Sequence, residues 1–151
     1  MLPKSEVHIK NRRAYFDYEI LDKVVAGIQL YGTEIKSIRE SRASLGETYC
    51  QFIGKELWVK QMHIAEYRFG SYANHEAKRD RKLLLTKREL RKLHRQTLES
   101  GKTIIPLTLF INDKGLAKLE IALCQGKHSY DKRQSIRERD DKRELARVMK
   151  H

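Results

Sequence analysis

Leu107-Thr108-Leu109-Phe110-Ile111, then Asn112-Asp113-Lys114-Gly115, then Leu116-Ala117-Lys118-Leu119-Glu120-Ile121-Ala122-Leu123 is the stretch that decides the fold. Two β-rich runs flank a four-residue turn signal, and in the second run Ala117, Leu119, Ile121 and Leu123 share one face. Lys118 and Glu120 take the other, as in an antiparallel strand with one face buried. Thr48 to Ile53 and Glu56 to Met62 repeat the arrangement around Gly54-Lys55, a pair suited to a two-residue type II′ turn. Val24 to Tyr31 alternates again, with Val24, Ala26, Ile28 and Leu30 on one side. Pro106 marks a strand start or an edge, because it has no N–H to give to a ladder. Two helices interrupt the strands. Thr86-Lys87-Arg88-Glu89 is a capping box. Leu90, Leu93, Thr97 and Leu98 follow as an inward stripe, and Gly101 as the stop. A shorter helix starts at Thr33 and buries Ile35 and Ile38. The expected class is mainly β, a small OB-fold-like antiparallel barrel with two or three helices.

Outward from this centre the composition changes. The chain has 151 residues, 40% hydrophobic and 34% charged, with a formal net charge of +12. The charge is concentrated: residues 1–13 carry net +3, residues 78–96 net +7, residues 127–151 net +4, and the remainder net −2. Positive stripes of this kind are the footprint of a polyanion partner, because each neutralised phosphate releases condensed counterions. No apolar run has membrane-spanning length, and the basic stretches lack the bulky apolar face of an interfacial helix. Met1 to Arg13 has no apolar core of a secretory signal. Cys50 and Cys124 stand apart within apolar segments, without framework or zinc spacing, and read as small core residues. A cytoplasmic setting without membrane contact is expected.

Nothing in the sequence forms an active site. The six histidines make no H-E-x-x-H and pair with no Cys at metal spacing, and neither a phosphate loop nor a nucleophile elbow is present. Asp17, Glu19 and Asp22 lie close together, but surface solvation explains them better than a nuclease metal cluster. No cofactor, metal or enzymatic activity is expected. The candidate RNA contacts are Lys10-Asn11-Arg12-Arg13, a basic arm, and Glu34 with Lys36 at a strand-to-helix junction where backbone N–H groups can meet phosphate. His75 and Arg79, Arg81 and Lys82 follow, on a polar loop leading to the basic helix. Glu34 is a carboxylate inside a basic surface: it either accepts hydrogen bonds from base edges or complements the first turn of its helix, and the residues alone leave both open. Tyr15, Tyr18, Tyr67 and Tyr72 can stack on bases, or serve as amphipathic barrel residues.

After Gly126 large aliphatic residues are reduced to Ile136, Leu145, Val148 and Met149, while Ser135 and Glu138 make a further capping box. Opposite charges recur at helical spacing, as in Glu138 and Lys142. This divides the chain into a flexible basic N-terminus (1–10), a barrel (11–126) and a basic tail (127–151) that is disordered alone and helical once docked.

Taken together, Asn11-Arg12-Arg13-Ala14, Ala26-Gly27 with Gly32-Thr33-Glu34-Ile35-Lys36-Ser37, Arg79-x-Arg81-Lys82-Leu83-Leu84-Leu85, Lys87-Arg88-Glu89-Leu90, and Gly126-Lys127 with Asp131-Lys132-Arg133 resemble the small protein B (SmpB) family in order and spacing. That resemblance implies an OB-like barrel binding the tRNA-like domain of transfer-messenger RNA (tmRNA). The RNA, alanylated and carried with elongation factor Tu, is delivered to ribosomes stalled without a codon. By motif match Glu34, Leu84 and Lys118 fall at RNA-binding positions, although Leu84 by its own neighbours reads as core packing that supports the surface. The resemblance places the tail in the small-subunit decoding centre and the empty messenger channel. There Lys127, Lys132, Arg133, Arg137, Arg139, Lys142, Arg143, Arg147 and Lys150 would face ribosomal RNA, and Ile136, Val148 and Met149 would pack locally. Tyr130, before Asp131, stands where the family can carry His, which suits stacking rather than proton transfer. The same residues also fit a basic ribosomal-RNA-binding protein or assembly factor, which would share the charge pattern without needing a separately acting tail.

Overall fold

The computed structural model describes residues 7–70 and 74–127. In chain order the elements are β1 (His8–Lys10), α1 (Arg12–Asp17), β2 (Tyr18–Ile28), α2 (Gly32–Arg39), β3 (Ala43–Ser44) and β4 (Tyr49–Ile53). They continue with β5 (Glu56–Lys60), β6 (His63–Ile64), β7 (Arg81–Leu84), α3 (Lys87–Thr97), β8 (Lys102–Ile111) and β9 (Ala117–Gly126). The fold is mainly antiparallel β with three helices. Seven strands run in the order β1-β8-β4-β5-β7-β2-β9, and β9 also pairs with β8, so the sheet is ring-like. The separate pair is β3 with β6.

The turn chemistry sets the two hairpins. Ile53 faces Glu56 across Gly54-Lys55, and only the glycine has positive φ, at 63°, which fits a type II′ turn. At the other hairpin Asn112 Oδ1 accepts from the backbone N–H groups of Lys114 (3.0 Å) and Leu116 (2.9 Å), with Gly115 at φ 77°. The alternation in β9 places Leu119, Ile121 and Leu123 in the main core, where they meet Ala26 and Ile28 of β2, Leu57 and Val59 of β5, Leu83 of β7 and Leu93 of α3. A second, smaller core lies behind β8 and β9, made of Ala14, Ile105, Leu107, Ala122 and Cys124. It is α1 that covers this face, which is why Ile104-Ile105 and Leu123-Cys124 are apolar on both sides of the sheet.

Several sequence expectations are corrected. The segment from Asn11 is not an arm running into a strand: His8–Lys10 already pairs with β8 and α1 follows, so the sheet begins inside the stretch assigned to a flexible N-terminus. Strand β2 starts at Tyr18, earlier than Val24, and passes a register shift between Ile20 and Asp22. Pro106 is neither a strand start nor an edge. It sits within β8 at the bulge between Pro106 and Thr108. Its carbonyl accepts from Asn11 Nδ2 at 3.0 Å. The Thr86–Glu89 box is present, with Glu89 N–H donating to Thr86 Oγ1 at 3.1 Å and Thr86 N–H to Glu89 Oε1 at 3.0 Å. Leu98, expected inside, is 75% exposed, because the helix ends at Thr97 and the chain turns before it can reach the core. Tyr72, the Ser135 box and the tail contacts from Tyr130 to Lys150 lie outside the described residues.

Candidate nucleic-acid interface

The junction from β2 into α2 is organised by one buried carboxylate. Glu34, at the third position of α2, is 0% exposed. Its Oε1 accepts from Tyr31 N–H at 2.8 Å and from Arg79 Nη2 at 2.6 Å, while Oε2 accepts from Arg81 Nε. Arg81 is likewise 0% exposed, and Nη1 and Nη2 donate to the carbonyls of Met62 (2.7 Å) and Ala77 (3.1 Å). Alternation in β7 explains the inward turn of this arginine: Arg81 and Leu83 point inward, Lys82 and Leu84 outward. Burial works to raise the Glu34 pKa, but hydrogen bonds from Arg79, the Tyr31 backbone and Arg81 outweigh it and hold the carboxyl below its ordinary range. Burial holds the Arg81 pKa below its ordinary value although Glu34 works to raise it; the guanidinium stays protonated.

His75 is buried beside this cluster. Its Nε2 lies 2.9 Å from the Ile64 carbonyl, which can only accept, so Nε2 carries hydrogen, and Nδ1 lies 2.9 Å from the Thr33 hydroxyl. Asn11 is buried too, with its N–H donating to the Leu107 carbonyl at 2.8 Å. Four residues expected at the RNA surface, Asn11, Glu34, His75 and Arg81, are buried and hydrogen-bonded within the fold. Side-chain type suggested exposure; internal partners explain the burial. Lys10, Arg12, Arg13 and Lys36 are exposed, and Arg79, Lys82 and Lys118 partly so. Lys36 lies over the Tyr67 ring, and Arg13 pairs with Asp17. Asp17 closes α1 and Asp22 meets Lys92 at 3.4 Å, so each belongs to a surface ion pair.

The outer sheet face carries a row that the sequence did not reveal. Leu84 of β7 is opposite Gly27 of β2, Gly27 opposite Lys118 of β9, Lys118 opposite Phe110 of β8, and Phe110 opposite His8 of β1. Cross-strand partners point to the same face, so these five form one band. Leu84 is 46% exposed, which corrects its reading as core. Gly27 keeps the band low, since a Cβ there would sit 3.2 Å from Leu84 Cβ. The rings of His8 and Phe110 stack at 6.2 Å. A consequence is testable: Leu84→Ala should change stability by under about 1 kcal/mol in urea unfolding, where a core leucine would lose about 2–5. A separate basic face lies on α3, where Arg88, Arg91, Lys92 and Arg95 are exposed and Leu93 is buried.

The thiols belong to the interior. Burial pushes Cys124 up to about 11 and Cys50 further still, so neither is a thiolate nucleophile at neutral pH.

The family model described as "SmpB protein" matches residues 8–151. The chain belongs to the SmpB family. Two similar relatives are called "SsrA-binding protein": that of Phocaeicola vulgatus is 61% identical over 146 residues, covering 97% of each chain, and that of Bacteroides thetaiotaomicron is 59% identical over 149 residues, covering 99% of each. A solved structure described as "tmRNA-SmpB: a journey to the center of the bacterial ribosome" superposes with a TM-score of 0.70 at 40% identity, over 87% of this chain and 95% of that one. Within this SmpB-family chain, the motif positions Glu34, Leu84 and Lys118 divide into one buried organiser and two members of the outer band. Phe110 and His8 were not singled out from sequence, and Tyr31 stood out only as the first residue of the junction over residues 31–36. Only the place of Tyr31, directly before the Gly32 of the motif, offered a signal.

Proposed function

We propose that this chain is an RNA-binding adaptor and not an enzyme: an OB-like barrel that binds the tRNA-like domain of tmRNA and delivers it to stalled ribosomes. The RNA arrives alanylated with elongation factor Tu, the barrel stands in for a missing anticodon arm, and residues 127–151 enter the empty messenger channel from the decoding centre. Translation then resumes on the tmRNA reading frame, which tags the nascent chain and frees the ribosome.

The observation that carries this reading is the outer band, in which Leu84 and Lys118 come together across Gly27 although they lie far apart in sequence. An apolar side chain beside a lysine on a low, open strand face suits a nucleotide, with the lysine for phosphate and the leucine for a ribose or base. Lys10 of β1 and Lys82 of β7, each two residues from a member of the band, add positive charge, while the buried Glu34–Arg81 pair keeps the carboxylate away from phosphate.

The first test is to sequence the RNA that copurifies with the protein. Enrichment of tmRNA is expected; bulk ribosomal RNA without that enrichment would favour a ribosomal-RNA-binding protein instead. Binding to the isolated tRNA-like domain should also be strongly salt-dependent. With about five to eight phosphates contacted, log affinity should fall with log salt at a slope of roughly −4 to −7. Charge reversal at Lys82 and Lys118 should flatten the slope by about one unit each. An affinity indifferent to salt would contradict the proposal.

A further inference from the structure

We propose that the Tyr31 ring is the seat for one unpaired nucleobase of the bound RNA, with the Arg79 guanidinium fixed against the ring's opposite face. The inference rests on the RNA-binding reading above and adds a residue to it.

Tyr31 is 58% exposed, yet it is not a loose surface side chain. Its N–H donates to Glu34 Oε1 at 2.8 Å, and its carbonyl accepts from the N–H groups of Glu34 at 3.1 Å and Ile35 at 3.2 Å. The guanidinium carbon of Arg79 sits 4.2 Å from the ring centroid. Arg79 is itself tied to Glu34 Oε1 at 2.6 Å and to the carbonyls of Asp80 at 3.2 Å and Gln29 at 3.4 Å. A buried carboxylate thus fixes the arginine, and the arginine fixes the ring. This ordering is complete before any ligand arrives, so stacking on the ring loses little further entropy.

Among the described residues no other ring packs against Tyr31, and beside it Gly32 has no atom within 4 Å of where a Cβ would lie. The approach is open. The chemistry of the occupant follows from the charge behind the ring. A cation on one face draws π density toward itself, which disfavours a second cation from a protein partner on the other face. A neutral, polarisable, planar group remains well suited, and in a positively charged neighbourhood that describes a nucleobase attached to its phosphate.

The test uses the full-length protein and the transcribed tRNA-like domain, with Tyr31→Ala, Tyr31→Phe and Tyr31→Trp as variants. Loss of one stacked base should weaken binding by Tyr31→Ala about 5- to 100-fold. The Phe and Trp variants, which keep a ring, should stay within about threefold of wild type. The salt slope should not change, because stacking releases no counterions. In RNA carrying 2-aminopurine at successive unpaired positions, one position should be quenched by wild-type protein and released by Tyr31→Ala. Wild-type binding that Tyr31→Ala leaves unaltered would overturn the seat alone, as would equal losses from Ala and Phe. Absence of wild-type binding to this RNA would sink the functional reading, and the seat with it.

Discussion

Arg81→Met is expected to destabilise the folded protein by about 3–5 kcal/mol, because it strands a fully buried carboxylate. Glu34 and Arg81 are both 0% exposed and directly paired, and Arg81 also satisfies the Met62 and Ala77 carbonyls. Removing the guanidinium leaves Glu34 with Arg79 and the Tyr31 N–H on one oxygen and nothing on the other. The double variant Glu34→Gln with Arg81→Met should recover part of the loss, since no charge then remains buried without its partner. Urea unfolding at neutral pH would measure both. A single variant as stable as wild type would show that the pair contributes nothing.

The same pair gives the protein an acid limit. The Glu34 carboxyl is held below its ordinary value of 4.5, so its contribution is fully present above that value and is lost as pH falls through the lower, folded-state value. Wild-type stability should therefore decline on acidification below about pH 4.5. Arg81→Met should show a shallower decline there, because burial continues to oppose the charged form while one of the stabilising partners has gone.

Local chemistry was legible wherever it was self-contained. The Thr86–Glu89 box, the Gly54-Lys55 turn and the alternation of Ala117, Leu119 and Ile121 each depend on residues within one or two turns, and each appears as read. What escaped the sequence depended on pairing between distant segments. Arg81 looks like one more member of a basic stripe until β7 is set beside β5 and β2, when its place in the strand alternation turns it toward Glu34. Leu84 sits within an apolar triplet, so composition suggests core, and only its strand phase turns it outward. Pro106 lies where β8 bulges, a position sequence cannot separate from a strand edge. The candidate site divided in the same way: its exposed lysines were readable from charge, while the buried members needed tertiary partners to reveal them.

Truncation after Lys127 should abolish peptide transfer to tmRNA on stalled ribosomes while leaving tmRNA bound. Lys127 marks the natural place to cut, because its N–H donates to the Asp17 carbonyl at 3.1 Å and its Nζ to the Tyr15 carbonyl at 3.1 Å, tying the end of β9 to α1. Among the described residues, both cores are built from side chains that precede it. Stability should thus shift by less than about 1 kcal/mol. RNA affinity should fall only modestly, since the outer band and the net +7 of residues 78–96 are untouched. The tail is a different matter. Ile136, Leu145, Val148 and Met149 are its only large aliphatic residues, too few to offset roughly 1–2 kcal/mol of backbone ordering per residue in an undocked helix. On the ribosome its remaining basic groups would meet phosphate along the messenger channel, and that contact would supply the order. Arg139→Pro should reproduce the truncation, because in the proposed docked helix it would remove a hydrogen bond at a cost of about 3 kcal/mol. The measurement is paired: affinity for the tRNA-like domain, and the rate of peptide transfer to its alanine on ribosomes lacking a codon. Full-rate transfer by the truncated protein would reduce the tail to a solubilising extension, whereas loss of both activities together would mean that tail and barrel act as one unit.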